Sequence, residues 1–213
     1  NKQINLKSNL VLKKYEKTMK NVEDLKTPCL ILDKSKLEKN CKRIREKCAH
    51  LNTTLRPHVK TPKSINIARI ALDKENGPIT VSTLKEADHF ASSGFTDILY
   101  AVGIVSPKLM EIKAIQEKYN CKIQIVIDSL VMSKIVLDYS LENKVPLDVM
   151  LEIDSGEGRG GLKPSKKNIK EISSMFLSNK KYIKGVMTHA GHSYKTNDPK
   201  KICSIAEKER NEV

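Results

Sequence analysis

The chain has 213 residues, a net charge of +14 and a pI of about 9.5. Its 39 lysines and arginines are spread along the whole chain and alternate with acidic residues, and only six Tyr and three Phe could stack on bases. This distribution argues against a nucleic-acid-binding protein. No apolar run is long enough to span a bilayer, so we expect neither a nucleic acid nor a membrane as a partner.

The cysteines are an odd set of five without a C-x-x-C pair: Cys29, Cys41, Cys48, Cys121 and Cys203. Such a set is typical of reduced thiols and does not suggest a disulfide scaffold or a structural zinc site. We therefore expect a cytoplasmic protein.

Hydrophobic periodicity predicts alternating strands and helices along the chain. Residues 1–26 are predicted to form a polar helical segment. A strand at 29–33 follows, and its last residue, Asp33, is predicted to cap a helix that runs to about His50. Further strands are predicted at 55–61, 79–83, 97–103, 122–128, 148–154 and 183–190. Helices are predicted between them, near 63–75, 83–93, 106–119, 128–143 and 164–178.

This alternation is typical of a parallel sheet, either a closed (β/α) barrel or an open doubly wound sheet. Residues 123–127 are apolar on both faces, as in a parallel strand covered by helices. The six predicted core strands fall short of the eight in a TIM barrel. The chain ends at Val213 within a charged, helix-like stretch, so we expect a fragment whose last barrel units lie beyond it.

The segment 55–61 is unusual because it carries three basic side chains on alternate positions: Arg56, His58 and Lys60. Alternate residues of a strand share one face. Three cations on one face do not fit a plain apolar core, since buried charge must be paired. They fit an anion-binding site with a lysine amine available for Schiff-base chemistry. The alternative is that Lys60 merely ends an edge strand.

Polar residues follow several other predicted strands, at the edge where parallel α/β folds hold their active sites. The candidates are Lys60, Thr61, Ser82, Thr83, Asp128, Glu152, Asp154, Arg159, His189 and His192. A purely structural interpretation remains open, in which Glu152 and Asp154 neutralise Arg56 and His58. His189 and His192 could bind a metal, but no third ligand is evident nearby.

Residues 156–161 satisfy the G-x-G-x-x-G pattern of dinucleotide-binding loops. Three acidic residues, Glu152, Asp154 and Glu157, would repel a pyrophosphate there. His189 ends the next strand, where an acidic ribose ligand belongs. We therefore expect the glycines to form a tight loop that lets Arg159 reach into the site.

Taken together, several motifs resemble those of one family. They are 27–33 (TPCLILD), 56–61 (RPHVKT), 81–87 (VSTLKEA), 97–101 (DILYA), 152–156 (EIDSG) and 188–194 (THAGHSY). The set resembles the D-serine dehydratase and D-threonine aldolase group of fold-type III pyridoxal-phosphate enzymes, which are relatives of alanine racemase. The resemblance implies a TIM-type barrel of the alanine racemase N-terminal type, incomplete here, over residues 27–213.

By this resemblance Lys60 is the lysine that holds pyridoxal phosphate as an internal aldimine. Arg159 approaches the phenolic oxygen of the cofactor, His189 lies against its ring, and Tyr194 helps to fix it. The resemblance thus implies Lys60 and His189 as catalytic residues. It implies as cofactor-binding residues Lys60, Arg56, His58, Arg159, His189 and Tyr194.

The resemblance also has departures. Many relatives carry a histidine where this chain has Pro62. The family's main phosphate-binding loops, its zinc or manganese ligands and its C-terminal β-domain, with which 29–33 would pair, lie outside these residues. A divalent metal is therefore expected in the full-length protein, with no ligand assigned here.

The function implied is a pyridoxal-phosphate-dependent lyase that acts on D-3-hydroxy amino acids, by D-serine dehydration or D-threonine aldol cleavage. Two alternatives remain open: an amino-acid racemase of the alanine racemase type, and a non-catalytic pyridoxal-phosphate-binding protein. The expected partners are a small D-amino acid and, at full length, a second copy of the chain.

Overall fold

The computed structural model describes residues 22–181 and 183–213, which belong to two compact units, 1–39 and 40–213. In the first unit a 3₁₀ turn spans Val22–Asp24. Most of the predicted helical segment 1–26 lies outside the described residues, and its boundary at 26/27 stays a prediction.

The predicted strand at 29–33 is not formed, and Leu30, Ile31 and Leu32 are exposed. A strand needs a partner for its backbone groups, and none of the described residues pairs with this segment. The predicted cap is confirmed, because Asp33 Oδ1 accepts a hydrogen bond from the Lys36 N–H at 2.9 Å.

Helices and strands alternate along the rest of the chain, as predicted. The helices are α1 (Lys34–His50), α2 (Ile65–Leu72), α3 (Leu84–Ala91), α4 (Lys108–Tyr119), α5 (Leu130–Glu142), α6 (Lys166–Ser178) and α7 (Pro199–Glu212). The strands are β1 (Pro78–Val81), β2 (Asp97–Gly103), β3 (Lys122–Ile127), β4 (Asp148–Ile153) and β5 (Ile183–Thr188). A second 3₁₀ turn, Gly191–Lys195, follows β5.

All five strands are parallel and lie in sequence order, β1-β2-β3-β4-β5. Fully buried Tyr100, Ile125 and Leu151 of the sheet join one apolar core with Phe90 and Ile112 of the helices. Because the strands run the same way, their carboxyl ends share one edge. The described residues form an incomplete α/β barrel.

The predicted strand at 55–61 is reduced to one bridge, between His58 and Thr80 of β1. Pro57 O accepts from the Thr80 N–H, and the Val59 N–H donates to Thr80 O, both at 2.9 Å. Proline has no N–H to continue the ladder, and the chain turns at Lys60. The sheet therefore has five strands, plus this bridge, where the sequence predicted six.

Side-chain caps fix the turns that lead from strand to helix. Thr83 before α3 and Ser129 before α5 each accept a hydrogen bond from a backbone N–H of the first helical turn. These caps fix where the chain passes from a strand into the next helix, and so they define the edge of the sheet that carries the polar residues. Among the described residues, no helix combines the length and apolar character needed to cross a bilayer.

Candidate active site

Lys60 lies directly beyond the His58–Thr80 bridge, at the carboxyl edge of the sheet, and is exposed. Its backbone N–H donates to His58 Nδ1 at 3.3 Å, and His58 Nε2 lies 3.3 Å from Ser82 Oγ. Because Nδ1 accepts, Nε2 must carry the proton and donate to the serine. Burial, and then the charge of Lys60, lower the pKa of His58, which favours this neutral ring.

The buried carboxylate of Glu86 is hydrogen-bonded to the backbone of Ser82. Glu86 is 7% exposed and its Oε2 accepts from the Ser82 N–H at 2.8 Å. Lys63 Nζ lies 3.5 Å from the other carboxylate oxygen. Sequence reasoning missed Glu86, although it stands three residues after the cap Thr83, the spacing of a capping box.

A loop after β4 carries the glycines of 156–161. Asp154 Oδ1 accepts from the N–H groups of Gly156 and Gly158 at 2.9 and 3.0 Å. These bonds, that of Gly158 first, lower the pKa of Asp154. The loop closes where the Leu162 N–H donates to Glu152 O at 2.7 Å and Leu162 O accepts from the Asp154 N–H at 2.9 Å.

This loop geometry bears on the dinucleotide interpretation. In a phosphate-binding loop the backbone N–H groups must be free for the phosphate, but here Asp154 occupies two of them. The same carboxylate places negative charge at the loop. A dinucleotide site is therefore disfavoured, as the sequence suggested.

His189 follows β5 and is held by a glutamate that sequence reasoning did not select. Its Nδ1 lies 2.7 Å from Glu157 Oε2, which also accepts from the Gly191 N–H at 3.2 Å. The hydrogen bond from His189 is the main reason that the pKa of Glu157 is lowered. Tyr194 packs edge-on against the His189 ring, with 6.1 Å between centroids, and is 81% exposed.

Charged groups near Glu152 extend the site along β4. Burial and then the charge of Asp128 raise the pKa of Glu152, while Arg159 and His189 lower it in part. Arg159 is exposed, and its charge also lowers the pKa of Glu157. The loop thus brings Arg159 within electrostatic reach of the polar strand ends.

The structure does not bring Arg56 to this edge. Its guanidinium forms a bidentate pair with Asp97, the first residue of β2, at 2.9 and 3.0 Å. It also donates to Ile79 O at 3.3 Å. Since β2 begins at Asp97, Arg56 lies at the amino edge, away from Lys60. The structural interpretation left open above, in which Glu152 and Asp154 neutralise Arg56, is therefore not what the structure shows, since Arg56 pairs with Asp97.

Two cavities lie at the opposite edge of the sheet from these polar strand ends. Their volumes are about 500 and 600 Å³, and both are lined by Asn120, Cys121, Lys122 and Asp148, at the amino edge. Within 22–181 and 183–213, no group of three His, Cys, Asp or Glu side chains is placed to hold a metal.

Comparison with known proteins assigns the family. A family model described as the alanine racemase N-terminal domain matches residues 32–210. D-threo-3-hydroxyaspartate dehydratase of Delftia sp. (strain HT23) is 32% identical over 187 residues, 87% of this chain and 49% of that protein. D-serine dehydratase of Dictyostelium discoideum is 30% identical over 200 residues, 87% of this chain and 50% of that protein.

Solved structures agree with this assignment. An alanine racemase-like protein from Idiomarina loihiensis has a TM-score of 0.80 and 36% identity, covering 87% of this chain and 48% of that one. The chain thus spans about half the length of the curated relatives it matches. The parallel sheet, the motifs along it and the extent of these matches lead to one conclusion: the chain belongs to the alanine racemase N-terminal domain family.

Proposed function

We propose that the protein is a pyridoxal-phosphate-dependent lyase that acts on a D-3-hydroxy amino acid, with Lys60 as the cofactor-holding lysine. The two relatives described above are dehydratases of substrates of this class, and both align over 87% of the chain. The observation that carries the proposal is the position of Lys60. Lys60 follows the bridge to β1 at the carboxyl edge of the sheet, the edge at which His189 follows β5.

The residues at this edge suit such a cofactor. An aldehyde requires an accessible amine, and Lys60 is exposed. A planar side chain can pack against a flat aromatic ring, and the His189 ring is hydrogen-bonded to Glu157 and lies edge-on to Tyr194. A phenolic oxygen requires a cation, for which Arg159 is available on the glycine loop. His58 keeps the backbone of Lys60 in place.

Pyridoxal phosphate supplies the electron sink for breaking bonds at the substrate Cα. The protein must then choose the bond and move the protons. With the cofactor bound, Lys60 Nζ would be the base for the proton on the substrate Cα in a dehydration. Aldol cleavage would instead require a base at the substrate's β-hydroxyl group.

Arg56 has a different role in this proposal. Its guanidinium is already used by Asp97, so we infer that it stabilises the sheet and does not contact the cofactor. Lys60, His58, Arg159, His189 and Tyr194 form the proposed cofactor site, and Lys60 and His189 remain the proposed catalytic pair. A metal bound by residues beyond this chain, a homodimer and a cytoplasmic location stay predictions.

The test is to load the full-length protein with pyridoxal phosphate, reduce it with borohydride and map the modified residue. We expect the label on Lys60. Incubation with D-serine, D-threonine and L-alanine, followed by assays for pyruvate, glycine and D-alanine, then separates the candidate activities. Pyruvate or glycine supports a lyase, whereas D-alanine alone indicates a racemase and no product a carrier. A label on another lysine would overturn the assignment of the site.

A further inference from the structure

Glu157 and His189 come from different loops and meet at the carboxyl edge. The 2.7 Å contact joins Glu157 Oε2 to Nδ1 of the ring. The side chains keep 22% and 36% of their surface exposed, so both are partly withdrawn from water. An ionised carboxylate only accepts hydrogen bonds. The proton between the two groups therefore belongs to Nδ1.

Glu157 is itself held from several directions. Asp154 Oδ1 binds the N–H groups of Gly156 and Gly158, the residues on either side of it. Glu157 Oε2 also accepts a hydrogen bond from the Gly191 N–H at 3.2 Å, and Gly191 lies two residues beyond His189. The carboxylate thus fixes the ring and the backbone that follows it at the same time.

Gly191 leaves room for this contact. A Cβ at position 191 would lie 2.6 Å from His189 Cε1 and would collide with Glu157 Oε1. Its φ is not in the left-handed region, so alanine has no backbone strain there. The absence of a side chain at 191 is therefore needed for the carboxylate to reach the ring.

We propose that Glu157 is a positioning residue that holds His189 in its Nδ1–H tautomer and fixes the plane of the ring. This inference deepens the proposed function and rests on it for its catalytic consequence. In the neutral ring Nε2 is then the nitrogen without a proton and is left to accept a hydrogen bond at the site. Without Glu157 the ring would sample both tautomers and rotate about its side-chain bonds.

The first measurement reads the tautomer directly and needs neither cofactor nor activity. In ¹⁵N-detected NMR of the imidazole, recorded at a pH where the ring is neutral, the full-length protein is expected to show a protonated Nδ1 and an unprotonated Nε2 for His189. Glu157→Ala should merge the two nitrogen shifts towards an averaged position. Glu157→Gln, whose carbonyl oxygen still accepts, should restore the separation in part.

Gly191→Ala provides a second test, because its Cβ would force the carboxylate and the His189 ring apart without removing the charge of Glu157. It should also merge the two shifts. Two controls are matched to these variants. Glu171→Ala removes an exposed glutamate of α6, and Gly185→Ala adds a Cβ that meets only Met150, at an ordinary 3.6 Å. Both should leave the His189 shifts unchanged.

The second measurement concerns turnover. Glu157→Ala should lower kcat by about tenfold or more with little change in KM, the size of loss seen when the hydrogen-bond partner of a functional histidine is removed. Glu157→Gln should recover part of it. A neutral His189 ring that carries its proton on Nε2 in the parent protein, or unchanged shifts in both Glu157→Ala and Gly191→Ala, would overturn the positioning role. If the proposed lyase activity fails, the tautomer result still stands or falls independently.

Discussion

The carboxylate of Asp97 accepts hydrogen bonds from both terminal nitrogens of Arg56, at 2.9 and 3.0 Å. The pair reaches across β1, because Arg56 precedes the bridge at His58 and Asp97 begins β2. Because Pro57 has no N–H, the segment 55–61 makes few backbone hydrogen bonds with β1. The pair therefore supplies much of what keeps residues 56–60 beside the sheet, and so keeps Lys60 at the opposite edge.

Asp97→Ala should lower the free energy of unfolding by about 1–2 kcal/mol, since it leaves a half-buried guanidinium without its partner. Urea unfolding measures this change. The matched control is Asp88→Ala, which removes the more exposed pair with Lys118 and should cost less, because solvent screens that pair. Equal losses in the two variants would contradict a special role for the Arg56 pair.

Lys60→Ala should abolish covalent cofactor attachment and turnover while leaving the unfolding midpoint unchanged, because the side chain is exposed. Reduction with borohydride followed by mass spectrometry checks attachment, and product assays check turnover. Lys85→Ala, an exposed lysine on α3, serves as the control and should retain both. Turnover by the Lys60 variant would refute the assignment.

Gly161→Ala should destabilise the protein by about 2–4 kcal/mol, because two costs combine. Its φ of +100° is unfavourable for alanine, and a Cβ would lie 2.7 Å from Asp154 N and 2.9 Å from Ile153 C, backbone atoms that cannot easily move. Gly94→Ala has a φ of +94° but no atom within 4 Å. It should show only the conformational cost, about 1–2 kcal/mol. Thermal unfolding of both variants gives the difference, and no difference would argue against the close approach at Gly161.

Glu152→Gln should stabilise the protein at neutral pH, since burial and Asp128 raise the pKa of this carboxyl in the folded state. A raised folded pKa makes the ionised form costly, and that cost disappears when the group is protonated. The gain should therefore be complete above the folded pKa, shrink as pH falls through it, and vanish below the ordinary value of 4.5. Unfolding free energies across this range, with Glu171→Gln as the control, test the sign. A gain that persists at low pH would point to packing and not to charge.

The sequence was a good guide to the elements whose residues repeat with a clear period. The strand predicted at 97–103 is found as Asp97–Gly103, and the helix predicted to follow Asp33 runs from Lys34 to His50. In the strand, Ile98, Leu99 and Tyr100 are buried in succession, as in a strand covered on both faces. In the helix the three- and four-residue spacing alone carried the prediction, since none of its residues is buried in the described structure. Segment 55–61 also had an alternating pattern, but Pro57 lacks a ladder donor, so pairing stopped at a single bridge.

The sequence predicted Lys60 and His189 at the ends of strands, and the structure places both at the carboxyl edge of the sheet. Their roles stay predictions. The sequence did not predict the side chains that these strand-end residues pair with. Glu157 belongs to a glycine motif whose spacing gives no hint of His189, 32 positions later. Arg56 shares alternate positions with His58 and Lys60, but Asp97 draws its side chain to the amino edge. These pairings depend on the order of strands in the sheet, which periodicity does not specify.

The backbone pairing of Leu162 with the end of β4 has a consequence for the substitutions that the loop before it tolerates. The loop is closed by the hydrogen bonds of Leu162 with Glu152 and Asp154, so both of its ends are held at the end of the same strand. Substitutions at its exposed tip, such as at Arg159, can therefore be accommodated while β4 keeps its register. Glu157 is less free to vary, because it is tied to His189 on the next strand end.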